Sequence, residues 1–96
     1  MTQPFKMTIQ DVFIVKGRGV VVTGQIESGI IKVGDNVELV DLNESKNVVV
    51  TGIEKFRKVL SEAKAGENVG ILLKDIDNAE VKRGQVLAKP GSVRYN

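Results

Sequence analysis

Glycine spacing constrains this chain more than any other feature. The run Gly17-Arg18-Gly19-Val20-Val21-Val22-Thr23-Gly24 is followed by Gly29-Ile30-Ile31-Lys32-Val33-Gly34-Asp35. Glycine marks places where a backbone turns tightly or passes close to something. Between the glycines sit β-branched stretches that suit strands. The pattern reads strand, turn, strand, turn, strand, with very short connections.

The rest of the chain continues in that style. Phe5 to Val15 reads as one strand that begins with alternation and ends in Val12-Phe13-Ile14-Val15. Val20 to Glu27 is a second strand, Ser28-Gly29 a turn, and Ile30 to Val33 a short segment. Gly34-Asp35-Asn36 turns the chain into Val37 to Leu42, and Asn43-Glu44-Ser45 turns it again into a long strand, Lys46 to Phe56. Gly52 inside that strand points to a bulge or a close backbone approach. Arg57 to Lys64 has only weak helical spacing, at Val59, Leu60 and Ala63, and is too short for a stable helix. Glu67 to Lys74 and Gln85 to Ala88 read as strands. Between them, Asp77 to Gly84 reads as one or two helical turns, with Asp77 as cap, Glu80 three residues on and Gly84 at the end. Val-Val-Val-Thr-Gly occurs at 20–24 and again at 48–52, which two buried strands that each end at a bend would produce by coincidence. With 96 residues, the chain amounts to one domain. Many short strands and no long helix argue for an all-β barrel or sandwich, and closure into a barrel removes exposed edges from so small a sheet.

Composition excludes several kinds of chemistry. There is no cysteine, hence no disulfide, thiolate nucleophile or cysteine-type zinc site. There is no histidine, which removes the commonest general base and metal ligand. The expectation is a chain with no catalytic residue, no metal and no cofactor of its own. No apolar run is long enough for a membrane helix, and nothing in the sequence argues against the cytoplasm. Fourteen basic and twelve acidic residues leave a net charge of +2. The clusters Arg57-Lys58, Lys82-Arg83 and Lys89 to Arg94 fall late in the chain, and a mixed solvated surface explains them as readily as a nucleic-acid site does.

The polar motifs are individually weak. Gly17-Arg18-Gly19 looks like part of a phosphate loop, but it lacks the Gly-Lys-Ser/Thr ending and a strand follows it, so no helix N-terminus is at hand. A structural turn or partner-contact loop is the better expectation. Glu27, Asp35 and Glu38 lack metal-ligand spacing and read as a solvated face. In Glu54-Lys55-Phe56-Arg57-Lys58, strand alternation would put Glu54 and Phe56 on one face and Lys55 and Arg57 on the other. An acid beside an aromatic, with cations nearby, suits a nucleotide base and its phosphate, while an amphipathic strand with Phe56 in the core explains the same residues. Arg83 beside Gly84 suits a phosphate contact.

Taken in order, the pieces Asp11-Val12-Phe13, Gly17-Arg18-Gly19, Val21-Val22-Thr23-Gly24, Gly29 to Gly34, Phe56-Arg57-Lys58, Ala65 to Gly70 and Arg83 to Gly91 closely resemble domain 2 of elongation factor Tu. The likeness runs from about Phe5 to Ser92. It implies a closed six-stranded Greek-key β-barrel that holds the aminoacylated 3′ end of tRNA. By that resemblance Val15, Val21, Glu54 and Leu72 match the pocket for the terminal adenosine. Gln10, Asp11, Thr23, Phe56, Arg57 and Asn68 match the surroundings of the aminoacyl group, and Arg83 matches a contact to the tRNA 5′ phosphate. Gly17, Arg18 and Gly19 match a loop that approaches ribosomal RNA. Implied partners are aminoacyl-tRNA, the ribosome, and the GTP-binding and third domains of a parent factor if this is an excised piece.

Some positions depart from the family pattern. Gln10 stands where an acid is usual, Val20 replaces a threonine, and Gln25 and Ser28 replace arginines. No P-loop is present, so GTP hydrolysis would belong to another domain. The alternative expectation is a stand-alone barrel that docks on a GTPase domain or a ribosomal component without reading the aminoacyl end.

Overall fold

A computed structural model describes residues 3–42 and 44–93. Asn43 of the expected turn and Arg94 of the basic cluster lie outside them. The strands are β1 (Lys6–Thr8), β2 (Asp11–Val15), β3 (Gly19–Ser28), β4 (Ile30–Lys32), β5 (Asn36–Val40), β6 (Ser45–Lys55), β7 (Lys58–Leu60), β8 (Glu62–Lys64), β9 (Asn68–Leu73) and β10 (Val86–Ala88). Every pairing among them is antiparallel.

Six of these strands close on themselves. The order around the barrel is β1-β10-β5-β6-β9-β3, and β3 returns to β1. Within it β10-β5-β6-β9 is a Greek key, since the last strand in sequence lies beside the first of a three-strand meander. Two strands extend the wall: β2 pairs with β3, and β7 pairs with β6. β4 and β8 form a separate two-stranded ribbon.

Alternation explains the core. Val20, Val22 and Ile26 of β3, Val69, Ile71 and Leu73 of β9, and Val48, Val50 and Ile53 of β6 all point inward. Met7, Val37, Leu39 and Leu87 fill the remaining wall positions. The repeated Val-Val-Val-Thr-Gly segments lie on β3 and β6, which flank β9 and face one core. Val20, the departure from threonine, is an inward position, where an apolar side chain needs no hydrogen-bond partner. Gly24 lets β1 cross β3 closely: a Cβ there would stand 2.5 Å from the carbonyl oxygen of Thr8.

The structure corrects several expected elements. The stretch 5–15 is two strands, because Ile9 N donates to Gln85 O and Gln10 N donates to Thr23 O, which breaks the ladder between them. The stretch 57–64 is strand-forming and joins two sheets. A single 3₁₀ turn, Asn78–Glu80, stands where one or two helical turns were expected. Asp77 caps it as predicted, accepting from Ala79 N at 3.1 Å, but Gly84 lies in a later turn, closed by Gln85 N donating to Lys82 O, and donates its own N–H to Ile9 O.

The acids Glu27, Asp35 and Glu38 accept backbone hydrogen bonds. Glu27 takes Thr8 N at 2.9 Å, Asp35 takes Lys32 N at 2.9 Å, and Glu38 takes Gly91 N at 3.0 Å. Among the described residues no cluster of acidic side chains could hold a metal ion. Nor, among those residues, is any helix long and apolar enough to cross a membrane.

Candidate nucleic-acid interface

The outer face of the five strands β2-β3-β9-β6-β7 gathers most of the candidate residues. Directly paired residues share a face, so the register lays them out in rows. One row runs Asp11, Thr23, Gly70, Glu54, Val59. The next runs Phe13, Val21, Leu72, Gly52. A third holds Gln25 and Asn68. Residues scattered from 11 to 72 therefore meet on one surface.

Two glycines hollow that surface. At Gly70 a Cβ would approach Val21 Cγ1 to 3.3 Å, and at Gly52 one would lie 3.4 Å from Leu72 Cβ. Gly52 also marks the bulge expected from the sequence, since the β6–β9 register shifts between Val50 and Gly52. Above Gly70 lies a depression of about 240 Å³ whose rim includes Gln10, Thr23, Glu54, Lys55, Phe56 and Asn68. Five of these six were singled out in the sequence. A larger cleft, about 940 Å³, runs between Pro4, Phe5, Ile30, Val37, Lys89 and Pro90. Its one acid among the described residues, Asp35, already accepts from Lys32 N, and none of the residues matched to a tRNA end lines it. The smaller depression is the chemically furnished one.

The hairpin between β6 and β7 differs from the expectation. Phe56 and Arg57 do not continue the strand. They form a two-residue turn closed by the Lys55–Lys58 pair, with φ of 50° and 65°. Positive φ at both central positions is the type I′ requirement, which Asn-Gly normally meets. Phe56 is 86% exposed, so its place is at the tip of the hairpin and not in the core. The Lys55 ammonium sits 5.8 Å from its ring centroid and also bonds Glu67 at 3.2 Å. Glu67 accepts Lys64 N at 2.7 Å as well, and these two contacts hold its carboxyl below the usual carboxylate range.

Two further ion pairs tie the site together. Arg83 bonds Asp11 at 3.0 Å while remaining exposed. Its turn is held beside β2 by Gly84 N donating to Ile9 O at 2.9 Å. Arg18 reaches Glu54 at 3.2 Å, so the Gly17-Arg18-Gly19 loop and the acid of the pocket are in contact. Val15 pairs with Gly19 at the end of β2, next to that loop, whereas Phe13 stands directly opposite Val21. Phe13, Gly70 and the Arg18–Glu54 contact are the parts that sequence reasoning missed. Pairing register places the first two, and the Arg18–Glu54 contact joins side chains 36 positions apart.

At two of the departures from the family pattern, the side chain binds backbone. Gln25 Nε2 donates to Gly66 O at 3.2 Å, and Ser28 Oγ donates to Pro4 O at 2.6 Å.

A family model described as elongation factor Tu domain 2 matches residues 19–88. The matched segment spans strands β3 to β10 and so includes the floor of the depression and most of its rim.

Proposed function

The chain belongs to the elongation factor Tu domain 2 family, a translation-factor β-barrel, and from that membership we propose that it binds the aminoacylated 3′ end of tRNA and contacts the ribosome. In this family the barrel is the non-catalytic part and GTP hydrolysis belongs to a separate domain. The carrying observation is the convergence of Gln10, Thr23, Glu54, Phe56 and Asn68 on one depression beside the Val21–Leu72 pair.

The chemistry suits the two ends of such a ligand. Val21 and Leu72 offer an apolar floor for a base, with Val15 at the margin, and the Glu54 carboxylate accepts hydrogen bonds from a sugar or an exocyclic amine. Asn68 and Thr23 supply neutral polar contacts for the aminoacyl ester, with Gln10 and Asp11 beside them. The exposed hairpin tip, Phe56 and Arg57, closes the other side. Arg83 presents a guanidinium fork to a 5′ phosphate. The loop at Gly17, Arg18 and Gly19 is the surface offered to ribosomal RNA. Other domains of a parent factor would supply GTP chemistry.

A titration of the labelled protein with aminoacylated and deacylated tRNA tests this. Amide shifts are expected around Glu54, Asn68 and Leu72 with either RNA, and around Phe56 and Arg57 only with the aminoacylated form. Absence of shifts near Glu54 and Arg83 at high RNA concentration would refute it. A second reading, a barrel that docks on protein, draws on Phe13 and Ile14, which are exposed on the outer strand β2. Capture of a protein partner that survives Glu54→Ala with Arg83→Ala would favour it, and recovery of tRNA alone, lost in that variant, would exclude it.

A further inference from the structure

One contact made by Glu54, on the rim of the depression, opposes a ligand. Arg18 leaves the β2–β3 turn, and its Nη1 reaches both carboxylate oxygens of Glu54, at 3.3 and 3.2 Å. The turn is fixed at its root by Arg18 N donating to Val15 O at 2.9 Å. β9 lies between β3 and β6, so the two side chains together bridge about 10 Å of sheet. Glu54 follows Gly52 and Ile53 on β6, one row along from the Val21, Leu72 and Gly52 row that would floor a base. Both partners keep substantial solvent exposure, 43% and 31% at their side chains, so water can replace either one.

We propose that Arg18 is a latch on the base pocket: paired with Glu54 it occupies the acceptor, and a purine nucleoside gains the carboxylate by displacing it. This rests on the reading above that Val21, Leu72 and Glu54 receive a base. A partly exposed ion pair of this kind shifts an equilibrium by about two- to five-fold, and added salt screens it. The latch therefore gives an uncharged ligand an unusual salt response. Phosphate-driven RNA binding weakens as salt rises. Adenosine carries no charge, so salt acts on the latch and not on the ligand, and its binding should tighten.

The test is an amide-shift titration of the full chain with adenosine at low and high sodium chloride, about 0.05 and 0.5 M. It compares the unmodified protein with Arg18→Gln and Glu54→Gln. The unmodified protein should bind about two- to five-fold tighter at high salt. Arg18→Gln should bind at low salt as tightly as the unmodified protein does at high salt, and should respond little to salt. Glu54→Gln, which keeps the floor but loses the carboxylate, should bind more weakly than Arg18→Gln at both salts. Equal affinity and equal salt response in the unmodified and Arg18→Gln proteins would overturn the latch and leave the pocket standing. No shift at Val21, Glu54 or Leu72 in any of the three proteins would overturn the pocket reading and the latch with it.

Discussion

Replacing Phe56-Arg57 by Asn-Gly should make this protein more stable and its proposed ligand site worse. Both residues sit at positive φ, 50° and 65°, at the two central positions of a tight hairpin. A left-handed conformation costs a side-chain-bearing residue about 1–2 kcal/mol, so the pair stores about 2–4 kcal/mol. The offsets are small. Phe56 is 86% exposed, so losing its ring forfeits only about 0.5–1 kcal/mol of burial. The Lys55 contact to the ring is worth about 0.5 kcal/mol at such an exposed site. Glycine adds freedom to the unfolded chain, a loss of about 0.5–1 kcal/mol. The net expectation is a gain of about 1 kcal/mol, or about 4–8 °C in Tm for a domain of this size. Thermal and urea unfolding measure it directly. The same variant should lose the amide shifts that distinguish aminoacylated from deacylated tRNA. A Tm that stays put or falls would show that the hairpin is not strained, and that Phe56 and Arg57 are held for stability alone.

Other perturbations probe different parts of the molecule. Gly24→Ala should destabilise by about 2 kcal/mol or more in urea unfolding, because its Cβ would meet the Thr8 carbonyl oxygen, a backbone atom, at 2.5 Å. Gln85→Leu should cost about 1–3 kcal/mol, since the buried amide accepts from Lys82 N at 2.8 Å and donates to Asp41 at 3.1 Å, and the mutant leaves Lys82 N without that acceptor. Gly70→Val should fill the depression against Val21 and abolish nucleoside-induced shifts while the amide spectrum stays folded. Asp41 is held below the usual carboxylate range by the Gln85 amide, then by Leu42 N and the Lys82 charge. Glu67 is held down by Lys64 N and Lys55. Both folded values lie below the unfolded ones, so their stabilisation is complete above about pH 4–5 and is lost as pH falls through the folded values. Asp41→Asn with Glu67→Gln should therefore flatten the drop in Tm between neutral pH and about pH 3.

Much of the fold was legible because it is written in local chemistry. Val20, Val22, Val48 and Val50 alternate with polar or outward residues, and a strand buried on one side has to be spelled that way. The glycines at 17, 19, 29 and 34 marked real turns, and each adopts positive φ. Gly52 announced its bulge. The failures share a different cause. Phe56 looked like a core residue on a strand because alternation carries no information about where a hairpin reverses. Arg57 to Lys64 looked weakly helical because three apolar residues fit either period at that length. The break in 5–15 comes from bonds to Thr23 and Gln85, partners far away in sequence.

The sequence by itself determined an all-β chain of short strands, free of thiol and imidazole chemistry, with the acid, the amide and the two arginines on which the proposed site draws. Only the tertiary structure decided which of those groups meet. Register places Thr23, Gly70 and Glu54 in one row and Phe13, Val21 and Leu72 in the next, because cross-strand pairing links residues by hydrogen bonds that sequence distance does not restrict. For the same reason only the folded barrel brings Arg18 across β9 to Glu54, and sets Arg83 against Asp11 at the far end of the same face.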